Sequence, residues 1–226
     1  MQINVSPEFH KICPKFIGGA IIAEVTNTPT TPELWTEIER IAEKLRTNYT
    51  TESIKEQSGI ATTREAYRKA GKDPSRYRPA CEQLVRRILQ GKQLYSIDQL
   101  VDLGNLISLY CGYSTAMLDA DKISGQVLTL SIGTAGEPYE GIGRGTLNIE
   151  HLPVYRDTQG GIATPTSDST RTMITPQTKR ILLLINCYDG HQATLEDVLS
   201  YSSHALSTYA KANTNMTIWT YTHQAE

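Results

Sequence analysis

The sequence predicts an α+β fold in which mixed sheet is layered against helices. Three observations carry this. Helix signals with clear starts and stops gather between residues 31 and 112, and strand patterns gather after residue 126. One of those strands alternates in polarity and another is continuously apolar, so one has a single buried face and the other is covered on both. At 226 residues the chain is long enough to bury a core without disulfides or metal.

Taken in order, Met1 to Ser6 reads as a short edge strand. Lys15 to Val25, KFIGGAIIAEV, reads as a longer one, its Gly18-Gly19 pair marking a bulge or a close backbone approach. Thr31 is placed to cap a helix that Pro32 opens, with Glu33 at its positive end. Leu34, Ile38, Ile41, Ala42 and Leu45 then recur at helical spacing as one buried face. The polar stretch 47–59 predicts loop or broken helix. Thr63 to Ala70 predicts a helix closed by Gly71, which takes a left-handed conformation at low cost. The next helix starts near Pro79 and ends at Gly91, with Cys81, Leu84, Val85, Ile88 and Leu89 inside. Glu82 and Arg86 are expected as an i,i+4 pair on its outer face.

Ser96-Ile97-Asp98-Gln99 has the form of a capping box with Ser96 as the cap, and Tyr95 with Leu100 the spacing of a hydrophobic staple. The helix that follows runs to Cys111, stops at Gly112 and is apolar nearly all round, which makes it central. Its exceptions, Asp98, Asp102 and Asn105, share a face beside Gly104; they either line a pocket or form the strip that reaches water. Gln126 to Ile132 alternates as a half-buried antiparallel strand, and residues 134–145 read as turns. Gly141 to Gly145 lacks the lysine and the following helix of a phosphate loop. Leu152 to Tyr155 is a short strand, followed by a turn at Gly160-Gly161. Ser167 to Thr175, a polar loop, concentrates Asp168 and Arg171. Arg180 to Cys187 is the strand buried on both faces. Thr194 and Asp197 form a second capping box before a helix with Leu195, Val198, Leu199, Leu206 and Tyr209 inside, and Met216 to Thr222 closes the chain as a strand. Strand, helix and strand at this spacing fit a crossover within one sheet. Residues 1–60 are expected as a strand-helix lead-in packed on the same body as 61–226.

Net charge is −2, which argues against a generally basic nucleic-acid binder, but the charge is uneven. Between Arg64 and Lys92 nine basic residues stand against Glu65, Asp73 and Glu82, a balance of +6, leaving −8 for the rest of the chain. Arg64, Arg68, Lys72, Arg76, Arg78, Arg86 and Arg87 are the candidates for phosphate contact, with Tyr67 and Tyr77 available for stacking. A solvated helical face gives the same count.

Cys13, Cys81, Cys111 and Cys187 are widely spaced and suggest neither a zinc site nor disulfides, and His10, His151, His191, His204 and His223 are scattered. No metal or other cofactor is expected. No serine elbow, H-E-x-x-H or deaminase signature is present, so no complete catalytic constellation is visible. No run approaches the ~20 apolar residues that span a bilayer, and a start without a signal-peptide pattern, together with free thiols, leads to a cytoplasmic expectation.

RPACEQLVRRILQGK, then LVDLGNLISLYCG, then LDADKISG, then the strand leading to Gly136-Glu137 resemble, in order and spacing, the B3/B4 domain of the phenylalanyl-tRNA synthetase β subunit, and free-standing B3/B4 proteins most of all. The resemblance covers roughly Ala61 to Thr208. It implies a B3/B4-like layered β/β/α sandwich at 61–226 and a pocket associated with tRNA and with hydrolytic editing of mischarged tyrosyl-tRNA. Asn105 matches the asparagine of the family's pocket-lining helix, Asp119 the aspartate after the glycine turn, and Glu137 the glutamate of the strand end. Gly104 stands where the family has threonine, and Thr115-Ala116-Met117 where it has histidine. The family's later glycine-rich motif is not found around Gly160-Gly161. Tyrosyl-tRNA hydrolysis therefore does not carry over residue by residue.

Two readings remain open from the sequence. One is a stand-alone domain that binds tRNA or aminoacyl-tRNA, with editing of a mischarged tRNA in trans as its associated activity. The other is a binding module for an amino-acid-like small molecule that has lost RNA. The candidate pocket residues are Asn105, Asp119, Glu137, Asp168 and Arg171.

Overall fold

A computed structural model describes residues 1–212 and 216–224. The elements in chain order are β1 (Gln2–Val5), α1 (Pro7–Ile12), β2 (Ile17–Glu24), α2 (Pro32–Asn48), α3 (Ser58–Ala70), α4 (Ala80–Leu89), α5 (Gln99–Cys111) and β3 (Thr115–Asp119). They continue with β4 (Val127–Ile132), β5 (Glu140–Gly141), β6 (Gly145–Thr146), β7 (Pro153–Asp157), β8 (Gly160–Ala163), β9 (Arg180–Cys187), α6 (Gln192–Ala210) and β10 (Thr217–Tyr221). No described helix is long and apolar enough to cross a membrane.

The architecture is α+β in three layers. One sheet has the order β10-β2-β9-β3 and a second the order β1-β4-β7-β8. The helix-facing core joins Ile181, Leu183, Ile185 and Cys187 of β9 to side chains of α2, α4, α5 and α6. The opposite residues of β9, Leu182 and Leu184, pack with Leu128, Leu130 and Ile132 of β4 across the two sheets. The unbroken apolar run Arg180 to Cys187 follows from this position, because both faces of β9 are covered. Antiparallel to both β2 and β3, it is a buried strand in an antiparallel setting.

Where β2 meets its neighbours closely, glycine makes the room. A Cβ on Gly18 would overlap the Tyr221 ring, and one on Gly19 would meet Leu195 of α6 at 2.9 Å. Close approach, not a bulge, explains the pair: β2 pairs in unbroken register with β9. β9, α6 and β10 do form a crossover within one sheet, with β2 inserted between the two strands.

Several local expectations are corrected. The sequence reading has no α1, β3, β5–β6 hairpin or β8; α1 is a short surface helix capped by Ser6 that buries only Phe9. α3 begins at Ser58, not Thr63. β4 is antiparallel to β7 but parallel to β1. The cap of α5 is Asp98, whose carboxylate accepts from Val101 N at 2.9 Å, while the Ser96 hydroxyl donates to Asp102 at 3.1 Å. Gln99, fully buried, instead turns to the start of α2, where its Oε1 accepts from Thr31 N at 2.8 Å. Tyr95 is exposed and staples nothing in the core. Thr194 does not cap α6, which starts two residues earlier, and Asp197 accepts from the Tyr110 hydroxyl.

Candidate functional site

Helix α5 is apolar on most sides because it sits between α2, α4, α6 and β3. Along one flank its packing is incomplete, and there a cavity of about 320 Å³ opens between α5, α4, β3 and the loop after β8. Val101, Gly104, Asn105 and Ser108 line it from α5, Thr115 and Met117 from β3, and Asp168, Met173 and Ile174 from the loop. Gly104 matters for its size. A Cβ there would stand 3.4 Å from Met117 Cβ, an ordinary contact, so the glycine leaves space and is not demanded by crowding.

A second, more open compartment of about 500 Å³ shares Ala80, Leu84, Asn105 and Ile142 with the first and adds Gln83, Arg87, Tyr95 and Arg144. The inner compartment has no cation in its wall; the outer one has two arginines. Arg144 reaches it from the β5–β6 hairpin, between Gly143 and Gly145, both at positive φ, and donates to Gln83 Oε1 at 2.5 Å. The Arg87 guanidinium lies 4.1 Å from the centre of the Tyr95 ring. Asn105 stands where the compartments meet.

Asp168 is held through its backbone. Its carbonyl accepts from Ile142 N at 2.9 Å, tying the loop to the hairpin. Asp168 and Asn105 are both half-buried, and neither side chain makes a hydrogen bond to another described residue. Burial pushes the Asp168 carboxyl well above the ordinary carboxylate range.

The other candidate pocket residues lie elsewhere. Asp119 accepts from the Thr178 hydroxyl at 2.7 Å and from Asp121 N at 3.1 Å, fastening the end of β3. Glu137 binds Arg156 through Nε at 2.7 Å and accepts from Thr134 N at 3.0 Å. Burial raises its pKa, but the hydrogen bonds from Arg156 and Thr134 outweigh that and hold it below the usual range. Arg171 is clamped by both oxygens of Asp157 at 2.8 Å. All three are paired within the fold, and none lines either compartment. Of the α5 stripe, Asp102 is buried and accepts from Thr30, Ser96 and Ile97, organising the start of the helix. Asn105 alone of that stripe lines the cavity.

The basic segment divides in the same way. Glu82 is not on an outer face; it is fully buried, and Arg64 and Arg86 each approach it to 2.8 Å, with Arg78 at 3.4 Å. Arg64 also donates to Pro74 O at 3.2 Å. Lys72 is buried too, donating to Asn148 O and Glu150 O at 2.9 and 2.6 Å. Tyr67 is wholly inside and cannot stack on a base. Arg68 and Arg76 are exposed, and Arg87 lines the outer compartment. The segment is not one continuous basic face.

Arg144, Ile97, Met117 and Met173 were missed as lining residues. Arg144 carried a signal, a lone arginine between two turn glycines. The others carried none, since apolar residues look alike in sequence whether they fill a core or border a cavity. Among the described residues no group of three histidines, cysteines or acids is placed to hold a metal.

Fold and site together define a layered α+β domain with a two-compartment cavity beside its central helix. A family model, the B3/4 domain, matches residues 62–215, well over half the chain, and the chain belongs to that family. No curated protein matches the sequence. Among solved structures, an N-terminal fragment of the phenylalanyl-tRNA synthetase β-subunit from Pyrococcus horikoshii aligns over 96% of this chain at 12% identity, with a TM-score of 0.48. The chain spans 50% of that fragment.

Proposed function

We propose that the protein binds the aminoacylated end of a tRNA, with the acyl group in the inner compartment and the terminal nucleotide and its phosphates in the outer one. The observation that carries this is the continuity of two compartments of opposite character through Asn105. An apolar chamber suits an amino-acid side chain. Arg87, Arg144 and the exposed Tyr95 ring suit phosphate and base. Membership of the B3/4 family supports the RNA side of the reading. In this arrangement the ester lies at Asn105, whose unpartnered carboxamide is able to hold a water against it. Any hydrolysis relies on that positioned water and on the substrate's own groups.

Retention of tRNA at low salt, falling steeply as salt is raised, is the test. Arg87→Ala with Arg144→Ala should weaken it, whereas Arg86→Ala should act on stability because Arg86 serves Glu82. A tRNA that is not retained at low salt sinks the reading. Hydrolysis of a mischarged tRNA, if present, should be lost in Asn105→Ala.

One observation favours the alternative, an amino-acid-like small-molecule site without RNA. Arg64, Arg86 and Lys72 are tied up inside the protein, which thins the basic surface. That reading expects thermal stabilisation by an amino acid or related ligand, ~2.7 kcal/mol at a hundredfold excess over its dissociation constant, with no tRNA retention.

A further inference from the structure

The inner compartment has one ionisable group, and no counter-ion faces it. The geometry points to this compartment as a receptor for a primary ammonium group carried on a short aliphatic chain. The inference rests on the cavity being the ligand site proposed above, and it names the class of ligand.

The remaining polar groups of the wall are occupied or neutral. The Ser108 hydroxyl donates to Tyr113 O at 2.6 Å, and the Thr115 hydroxyl to Gly104 O at 3.3 Å. Asn105 is neutral and lies at the junction. Asp168 therefore remains as the group for which the described residues supply no partner. A half-buried carboxyl group with no partner among the described residues is a favourable place for a hydrogen-bonded cation.

The rest of the wall sets the kind of chain that carries the cation. Val101, Met117, Met173 and Ile174 are aliphatic or thioether groups, and no aromatic residue lines the inner compartment. Unbranched methionine side chains adapt to an alkyl chain of imperfect fit. At about 320 Å³ the space is at the small end of ligand cavities. An anionic ligand has no cation to meet there, because Arg87 and Arg144 line only the outer compartment. The two compartments thus sort charge: cations are received inside, anions at the mouth. Desolvation raises the Asp168 carboxyl above its ordinary range, and an ammonium group bound beside it favours the ionised form again.

A matched series decides it: n-pentylamine, 1-pentanol and pentanoate, titrated into the full chain and followed by NMR shift changes or calorimetry. The amine should bind at least tenfold more tightly than the alcohol, and pentanoate more weakly than either. In Asp168→Asn the amine should fall to the level of the alcohol. An alcohol that binds as well as the amine in the wild type overturns the inference, as does an amine preference that survives in Asp168→Asn. Should that variant not fold, the wild-type ordering of the three probes is decisive by itself. The double variant Arg87→Ala, Arg144→Ala separates the two proposals, since it should lose tRNA and keep the amine preference. Amine selectivity without tRNA retention in the wild type removes the RNA reading alone; tRNA retention without selectivity removes this one.

Discussion

Helix α4 has two polar flanks that treat charge in opposite ways. On one, Glu82 is fully buried and gathers Arg64, Arg78 and Arg86 around a single carboxylate. On the other, Ala80, Leu84 and Arg87 face the cavity, where Asp168 has no counter-ion and Asn105 no partner. Excess positive charge surrounds the acid that holds α3 to α4, and it is missing around the acid that faces empty space. Satisfied buried charge fixes structure, because removing either partner strands the other. A half-buried carboxyl group that no described residue pairs is left open to a ligand. A +6 segment in sequence thus resolves into a structural cluster and a thin cationic mouth.

The contrast is open to direct attack, beginning with the largest effect. Glu82→Ala leaves Arg64 and Arg86 without their carboxylate and should destabilise the fold by about 3–5 kcal/mol, seen as a lower urea midpoint. A loss under 1 kcal/mol would show that the cluster is not structural. Arg87→Ala with Arg144→Ala should leave stability nearly unchanged. It should instead lower the slope of log affinity for tRNA against log salt, by ~0.7–0.9 for each phosphate that is no longer neutralised. An unchanged slope would place the RNA-binding surface elsewhere.

The third test is Asp168→Asn followed across pH. Folding keeps this carboxyl neutral to higher pH than the unfolded chain, where it titrates near about 3.9. Below that value both states are protonated and the group costs nothing. As pH rises toward the folded value, only the unfolded state ionises, so wild-type stability is eroded. The variant should therefore gain on the wild type across that window and hold the gain above it; a difference independent of pH contradicts the burial. Glu137 and Asp157 run the other way. Arg156 and Arg171 outweigh burial there and hold both carboxyls low, so their stabilisation is present at neutral pH and lost as the medium is acidified. Smallest is Gly104→Ala, which a Cβ 3.4 Å from Met117 tolerates. It should stabilise α5 by up to about 1 kcal/mol and weaken the amine probe by narrowing the chamber.

What the sequence determined by itself was much of what short-range rules set, though not the caps expected at Ser96 and Thr194. Thr31 and Pro32 start α2 as their chemistry dictates, and Leu34, Ile38, Ile41, Ala42 and Leu45 are its buried face. Gly71 and Gly112 end their helices at positive φ, and Arg180 to Cys187 is covered on both sides. These follow from periodicity and from backbone sterics, which act within a few residues. The α+β layering was legible through the resemblance, carried by the order of several blocks; Asn105, which the resemblance also singled out, lines the cavity.

Only the tertiary structure decided which charges are used internally. Glu82 and Arg86 satisfy the rule for a surface i,i+4 pair, yet Arg64, eighteen residues earlier, completes a buried site around the same carboxylate. Asp119, Glu137 and Arg171 look like site residues until Thr178, Arg156 and Asp157 are brought against them. Asp168 differs only in that nothing arrives. Whether a polar side chain serves the fold or a ligand depends on partners distant in sequence, and no local pattern records their arrival.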